Sequence, residues 1–197
     1  LVAGDTISAM RKLLGVLVLA ATAHAAKTLD VYFIDVEGGQ ATLMVTPSKQ
    51  SMLVDAGWPG LSGRDADRIA RVAKKAGVKA IDYLVVTHYH TDHVGGVPQL
   101  IEKMQVKNFV DHGPNNESGK GPDQLYKAYE EATAKGKRIT VKAGDTLPLK
   151  GVEVRVVTAN GEHAPASGAA VDMVAAWPTT ARRRREGERG GTGLRGP

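Results

Sequence analysis

Three histidines and a carboxylate fall within six consecutive positions of this chain: His88, His90, Asp92 and His93. Imidazole nitrogen and carboxylate oxygen are the donors left to a zinc-like ion when thiolates are absent, and the sequence contains no cysteine. Half of the six histidines are gathered here. Two residues apart in an extended stretch, His88 and His90 project to the same side. Asp92 and His93 are adjacent and can turn to a second point close by. Two pairs of donors suit two ions ~3.5–4 Å apart that share a water. Bound zinc lowers the pKa of its water to about 7 and polarises a carbonyl or phosphoryl oxygen, which is the chemistry of metal-assisted hydrolysis. A lone histidine is more often a surface or structural residue. Four donor groups in this order, directly behind an apolar run, are hard to explain that way. No Ser-His-Asp or Gly-x-Ser-x-Gly arrangement competes with this chemistry, and the absence of cysteine removes thiol nucleophiles and disulfides.

The elements that must position these groups can be read on either side. Ile81 to Val86 is a near-continuous apolar run, as expected of a strand buried on both faces. The histidines follow it at once, where open α/β sheets place their sites. Gly95-Gly96 lets the backbone pass close to the metals before the next helix. Upstream, Leu29–Val36, Ala41–Thr46 and Ser51–Asp55 read as strands, and the turns at Gly38-Gly39 and Pro47-Ser48 are short enough to make them antiparallel neighbours. Asp65-Ala66-Asp67 opens a helix whose apolar side carries Ile69, Val72, Ala73 and Ala76, with Gly77 as its stop. Downstream, Val97–Met104 predicts a short helix, Phe109–Asp111 a strand and Pro122–Lys135 a helix. The segments Ile139–Val141, Thr146–Leu149 and Val152–Val157 predict further strands. Hairpins first, then strands alternating with helices, give an α/β fold with a mixed sheet covered by helices.

At 197 residues, with 42% hydrophobic and 24% charged side chains, the chain suits one domain with a sizeable core. Its net charge of +5 is misleading. Six arginines against two glutamates beyond Trp177, and Arg11 and Lys12 against Asp5 before residue 27, account for all of it. Residues 27–177 are formally neutral, so nucleic acid is not an expected partner. Met10-Arg11-Lys12, the apolar run Leu13–Ala21 and Ala23-His24-Ala25 form the pattern of a secretory signal peptide. The expectation is an exported, periplasmic or secreted protein with no membrane span after cleavage, and with residues 1–9 upstream of the true start. The division expected is residues 1–26 as leader, 27–160 as the metallo-hydrolase domain and 161–197 as a tail of low order rich in Arg and Gly. The abrupt change of composition in that tail suggests a shifted reading frame more than a basic arm for nucleic acid or anionic lipid.

His-x-His-x-Asp-His followed by Gly95-Gly96 resembles the signature of the metallo-β-lactamase superfamily. The likeness extends to Phe33-Ile34-Asp35-Val36-Glu37-Gly38-Gly39-Gln40-Ala41 and to Leu53-Val54-Asp55-Ala56-Gly57. These are similar to the branch that contains the hydrolase-like domain of the DNA-uptake competence channel and related secreted hydrolases. The resemblance covers roughly residues 27 to 158 and implies an αβ/βα sandwich: two sheets face to face with helices outside. It implies one or two Zn2+ ions, or other divalent metals, with His88 and His90 on the first and Asp92 and His93 on the second. Asp92 and His93 then serve catalysis directly. Asp55 matches the strand-end aspartate and is expected to accept an N–H from a metal-bound histidine and fix its ring. A complete site of this kind also takes a later histidine, a bridging aspartate and a final histidine. His112 and His163 are the candidates for additional ligands or site-lining groups. Asp172 lacks the strand-Gly-Asp setting of a bridging acid.

The expected activity is therefore metal-dependent hydrolysis of a small ester, lactone or phosphoester. The alternative is a catalytically incomplete protein of the same fold, covering only the N-terminal half to two-thirds of the sandwich. Such a protein would bind metal weakly or not at all and leave sheet face exposed for a homodimer to cover.

Overall fold

A computed structural model describes residues 28–116 and 120–164 of the chain. The leader, most of the Arg- and Gly-rich tail, and Asp172 lie outside the described residues. Strands β1 (Asp30–Phe33), β2 (Thr42–Val45) and β3 (Ser51–Val54) form antiparallel pairs. From β3 the sheet continues in parallel through β4 (Ile81–Val85), β5 (Val106–Asp111) and β6 (Lys137–Thr140), so the six strands lie in sequence order. Parallel neighbours need crossovers. These are helix α1 (Arg64–Lys75) between β3 and β4, the short helices α2 (Thr91–Val94) and α3 (Val97–Lys103) between β4 and β5, and α4 (Lys120–Thr133) between β5 and β6. The mixed sheet flanked by helices is the α/β fold class expected.

Period-two alternation divides the sheet cleanly. Leu43, Leu53, Leu84 and Phe109 pair across four strands and face the helices, where Ile69 and Ala73 of α1, Leu100 of α3 and Tyr129 of α4 cover them. Met44, Met52 and Tyr83 form the adjacent row on the opposite face. That row, with Val85 and Val110, packs on Leu147, Leu149 and Val154. These last residues belong to or flank β7 (Thr146–Leu147) and β8 (Val154–Arg155), an antiparallel pair lying against the open side of the large sheet. The described residues thus form a helix layer, a six-stranded sheet and the start of a second β layer. A slip of one residue in β4 would exchange the two faces, which is why its five residues can be almost uniformly apolar and still have a fixed register.

The far end of the second layer is a hairpin of β9 (Thr158–Ala159) and β10 (Glu162–His163). Four residues of strand are too few for a readable alternation. On β1, Val31 and Phe33 alternate with the half-buried Asp30 and Tyr32 and stay exposed, Phe33 at 86%.

Candidate metal centre

The four donors of the histidine motif sit at the carboxyl end of β4, next to the ends of β3 and β5. The segment is not one continuous loop. His90 is extended, and the chain then makes a single helical turn, α2, that carries Asp92 and His93. This turn brings the adjacent pair to a point different from that reached by His88 and His90.

Asp55 organises the centre. It follows the last residue of β3, its backbone amide donates to Val85 O at 2.8 Å, and its side chain is wholly buried. Its φ of 59° lies in the left-handed region, which aspartate tolerates better than most residues. One carboxylate oxygen accepts the Thr87 amide at 2.8 Å. The other accepts the Thr87 hydroxyl at 2.7 Å and lies 2.8 Å from His93 Nδ1. An ionised carboxylate can only accept, so His93 carries its proton on Nδ1 and turns Nε2 outward. That nitrogen is 3.6 Å from an Asp92 carboxylate oxygen. Two tetrahedral zinc ligands with bonds of ~2.0–2.1 Å lie about 3.3 Å apart, so this pair is close to the separation that one ion would set.

The relay extends to His88. The Thr87 hydroxyl gives its proton to Asp55, so its oxygen is free to accept from His88 Nδ1, 3.0 Å away. The buried His88 ring is thereby held through Nδ1, so Nε2 is the nitrogen that could ligate. Its centroid is 4.0 Å from the His93 ring and 4.6 Å from the His90 ring, the latter edge-on. Burial works to lower the His93 pKa, but the bond and charge of Asp55, together with Asp92, outweigh it and leave it raised. Three imidazoles and a carboxylate close together, with two ring orientations fixed from behind, fit a divalent cation by donor type. Among the described residues, however, no three His, Asp or Glu side chains already converge on one point as a ligand set.

Main-chain bonds lock the surrounding segments. Ala56 N donates to His93 O at 2.8 Å, Gly96 N to Gly57 O at 3.0 Å, and Gln40 N to Asp92 O at 3.1 Å. Gly96 has an ordinary φ of −77°, so it is not needed for its conformational freedom. It is needed for space, because a Cβ there would lie 2.0 Å from Ala56 O. Gly96 thus allows close passage along the β3 turn. Asp65, expected only as an acid at the start of a helix, is buried and accepts the Trp58 amide at 2.9 Å, pinning the same turn to α1.

His112 follows the last residue of β5 and is half-buried, its ring 5.0 Å from that of Tyr89. His163 is exposed on β10 and pairs with Thr158. The β9–β10 turn reaches the His112 segment through Asn160 Nδ2, which donates to His112 O at 2.8 Å. Thr87 was not foreseen as a site residue, since a hydroxyl beside the first histidine is not itself a zinc ligand type. A groove walled by Trp58, Pro122 and Leu125 opens onto His90 and Asp92.

The sequence model of the metallo-beta-lactamase superfamily matches residues 34–175, a span that contains the whole centre. The chain belongs to the metallo-beta-lactamase superfamily. Among solved structures it is similar to a variant of the HARLDQ-motif metallo-beta-lactamase from Cronobacter sakazakii, at 24% identity over 64% of this chain and 49% of that one, with a TM-score of 0.43. It is also similar to the metallo-beta-lactamase SMB-1 bound to 2-mercaptoethanesulfonate (19% identity, 64% and 49%, TM-score 0.46). A third is a metallo-beta-lactamase from Pontibacter korlensis (17% identity, 65% and 54%, TM-score 0.40). The chain spans about half the length of these superfamily structures.

Proposed function

We propose that this member of the superfamily is an exported, zinc-dependent hydrolase of an ester, lactone or phosphodiester. The observation that carries the reading is the relay from buried Asp55 to His93 directly and to His88 through Thr87, which presets two ring nitrogens as ligands. Such supporting hydrogen bonds raise ligand basicity and hold ring direction. His88 and His90 would form one donor pair, Asp92 and His93 the other. A bound zinc ion supplies Lewis acidity and brings the pKa of a coordinated water toward neutrality. The chain's own contribution is to hold the donors, and to admit the substrate through the groove between Trp58 and Leu125. The sequence likeness to the competence-type branch leans toward a phosphodiester.

The test is to purify the protein, count its zinc, and assay a phosphodiester and a lactone with and without chelator. Zinc uptake with chelator-sensitive turnover is expected. His90→Ala is expected to abolish turnover and reduce zinc content while leaving the far-ultraviolet circular dichroism unchanged. A second reading is weak metal binding without turnover. Absence of zinc uptake, or turnover that persists in chelator, would decide against the first reading.

A further inference from the structure

Between the two histidines of the first pair stands Tyr89, which points the other way. Residues on either side of a position in an extended stretch project to the opposite face. Tyr89 is 1% exposed, and its hydroxyl donates to the carbonyl of Gly113. Its ring meets that of Tyr126 edge-on at 4.6 Å and lies 5.8 Å from that of Tyr129, both on α4. Gly113, at φ 91°, is itself held by its amide, which donates to Asp111 Oδ1 at 2.8 Å.

Asp111 is wholly buried at the end of β5, and its two oxygens collect four donors. Arg138 of β6 grips it in bidentate fashion, Nε at 2.6 Å and Nη2 at 3.2 Å, and Tyr129 donates at 2.9 Å. The Gly113 amide is the fourth. The guanidinium also lies 5.4 Å from the ring centroids of both Tyr126 and Tyr129. A buried ion pair seldom stabilises a fold more than apolar packing of the same volume would. What it can do is fix one geometry. Here the geometry fixed is that of the Gly113 carbonyl, and through it the tyrosine placed between two ligands.

We propose that Tyr89, anchored on Gly113 by the Asp111–Arg138–Tyr129 cluster, is a positioning residue that sets the spacing and direction of His88 and His90 before a metal arrives. The inference rests on the metal-centre reading above, but its test does not depend on metal alone. Tyr89→Phe keeps the ring and removes only the anchoring bond. In metal-free protein, amide hydrogen exchange at His93 and Val94, which both donate to His90 O, is expected to accelerate roughly fivefold, the factor that ~1 kcal/mol of lost hydrogen bond allows. Zinc affinity, measured by competition with a chromophoric chelator, is expected to fall by roughly 10- to 100-fold, as when other supporting partners of metal ligands are removed.

Arg138→Lys breaks the bidentate grip and is expected to act in the same direction, which keeps the test open if the Phe variant folds poorly. Asp82→Asn, a lesion at the opposite end of the sheet, is expected to change neither readout. Wild-type exchange rates in both variants would overturn the proposal, as would uniform acceleration across the domain or unchanged zinc affinity in a zinc-binding background. If the wild type takes up no zinc, the metal-centre reading fails, and the exchange at His93 and Val94 still decides whether Tyr89 holds the segment.

Discussion

Replacing Asp55 by Asn tests the centre most directly, because the change keeps shape and removes charge. Wild-type Asp55 only accepts, from the Thr87 amide, the Thr87 hydroxyl and His93 Nδ1. An asparagine can keep its oxygen on the Thr87 amide, but its NH2 must then face the Thr87 hydroxyl and His93. His93 would have to present a bare Nδ1 and move its proton to Nε2, the atom 3.6 Å from Asp92. A protonated Nε2 cannot ligate. The Thr87 hydroxyl would also turn, and His88 would lose the acceptor that fixes its ring. All three bonds to an ionised group are exchanged for neutral ones. At about 1.5–3 kcal/mol for a hydrogen bond to a charged group, against 0.5–1.5 for a neutral one, the metal-free fold should lose roughly 3–4 kcal/mol. Zinc affinity should fall by roughly 10- to 100-fold or more, since both ligand orientations depend on one group. Urea denaturation in chelator measures the first quantity and competition titration the second. Long-range 1H–15N spectra of the imidazoles report the tautomer itself. An Asp55→Asn protein that binds zinc like the wild type, with His93 still protonated on Nδ1, would refute the relay.

Two further outcomes follow from the packing around the site. Gly96→Ala places a Cβ 2.0 Å from a backbone oxygen that cannot rotate away, so a loss near the upper end of overpacking, about 3 kcal/mol, is expected. That corresponds to a melting temperature roughly 6–12 °C lower, and a shift within 2 °C, roughly 1 kcal/mol or less, would show that the β3 turn is not rigid. At the other end of the sheet, burial alone would push Asp82 up, but Lys107 at 2.7 Å and the Ser51 amide at 2.8 Å outweigh it and hold its pKa below the ordinary 3.8. A lowered folded pKa contributes stability that is present above the unfolded value and is lost as pH falls through the folded one. The stability advantage of the wild type over Asp82→Asn should therefore hold at neutral pH and shrink below about pH 4. Denaturation curves at neutral and acid pH check this; a difference that does not change with pH would contradict it.

The parts of this molecule that were legible in the sequence are those whose signal is local. The strand-like segments Ala41–Thr46 and Ser51–Asp55, joined by the short turn at Pro47-Ser48, make a hairpin pattern, and the structure pairs β2 with β3 antiparallel. The near-continuous apolar run Ile81–Val86, broken by Asp82, indicates a strand covered on both faces, and both clusters of the core do cover it. Helix α1 follows its apolar period from Ala66 to Ala73, and only its start differs from the expectation, by one residue. The β9–β10 hairpin was missed because two-residue strands are defined by pairing across space, not by any period of their own.

The site divides along the same line. Donor types and spacing single out His88, His90, Asp92 and His93, because ligands must be imidazole or carboxylate and must lie near one another in the chain if a single turn is to gather them. Nothing of that kind marks the residues that orient them. Thr87 acts through a carboxylate 32 residues away, and Tyr89 through a carbonyl 24 residues away, which depends in turn on Asp111 and Arg138. A threonine before the first histidine and a tyrosine after it are ordinary strand formers, and Asp111 reads only as the last residue of a strand. Their work becomes visible only when β3, β4, β5 and β6 are brought side by side. On the reading proposed above, His88, His90, Asp92 and His93 would supply the donors, and Thr87, Tyr89, Asp111 and Arg138, with Asp55, would hold the rings in place to receive an ion. Substitutions at those positions are therefore the ones that separate a working centre from a cluster of histidines.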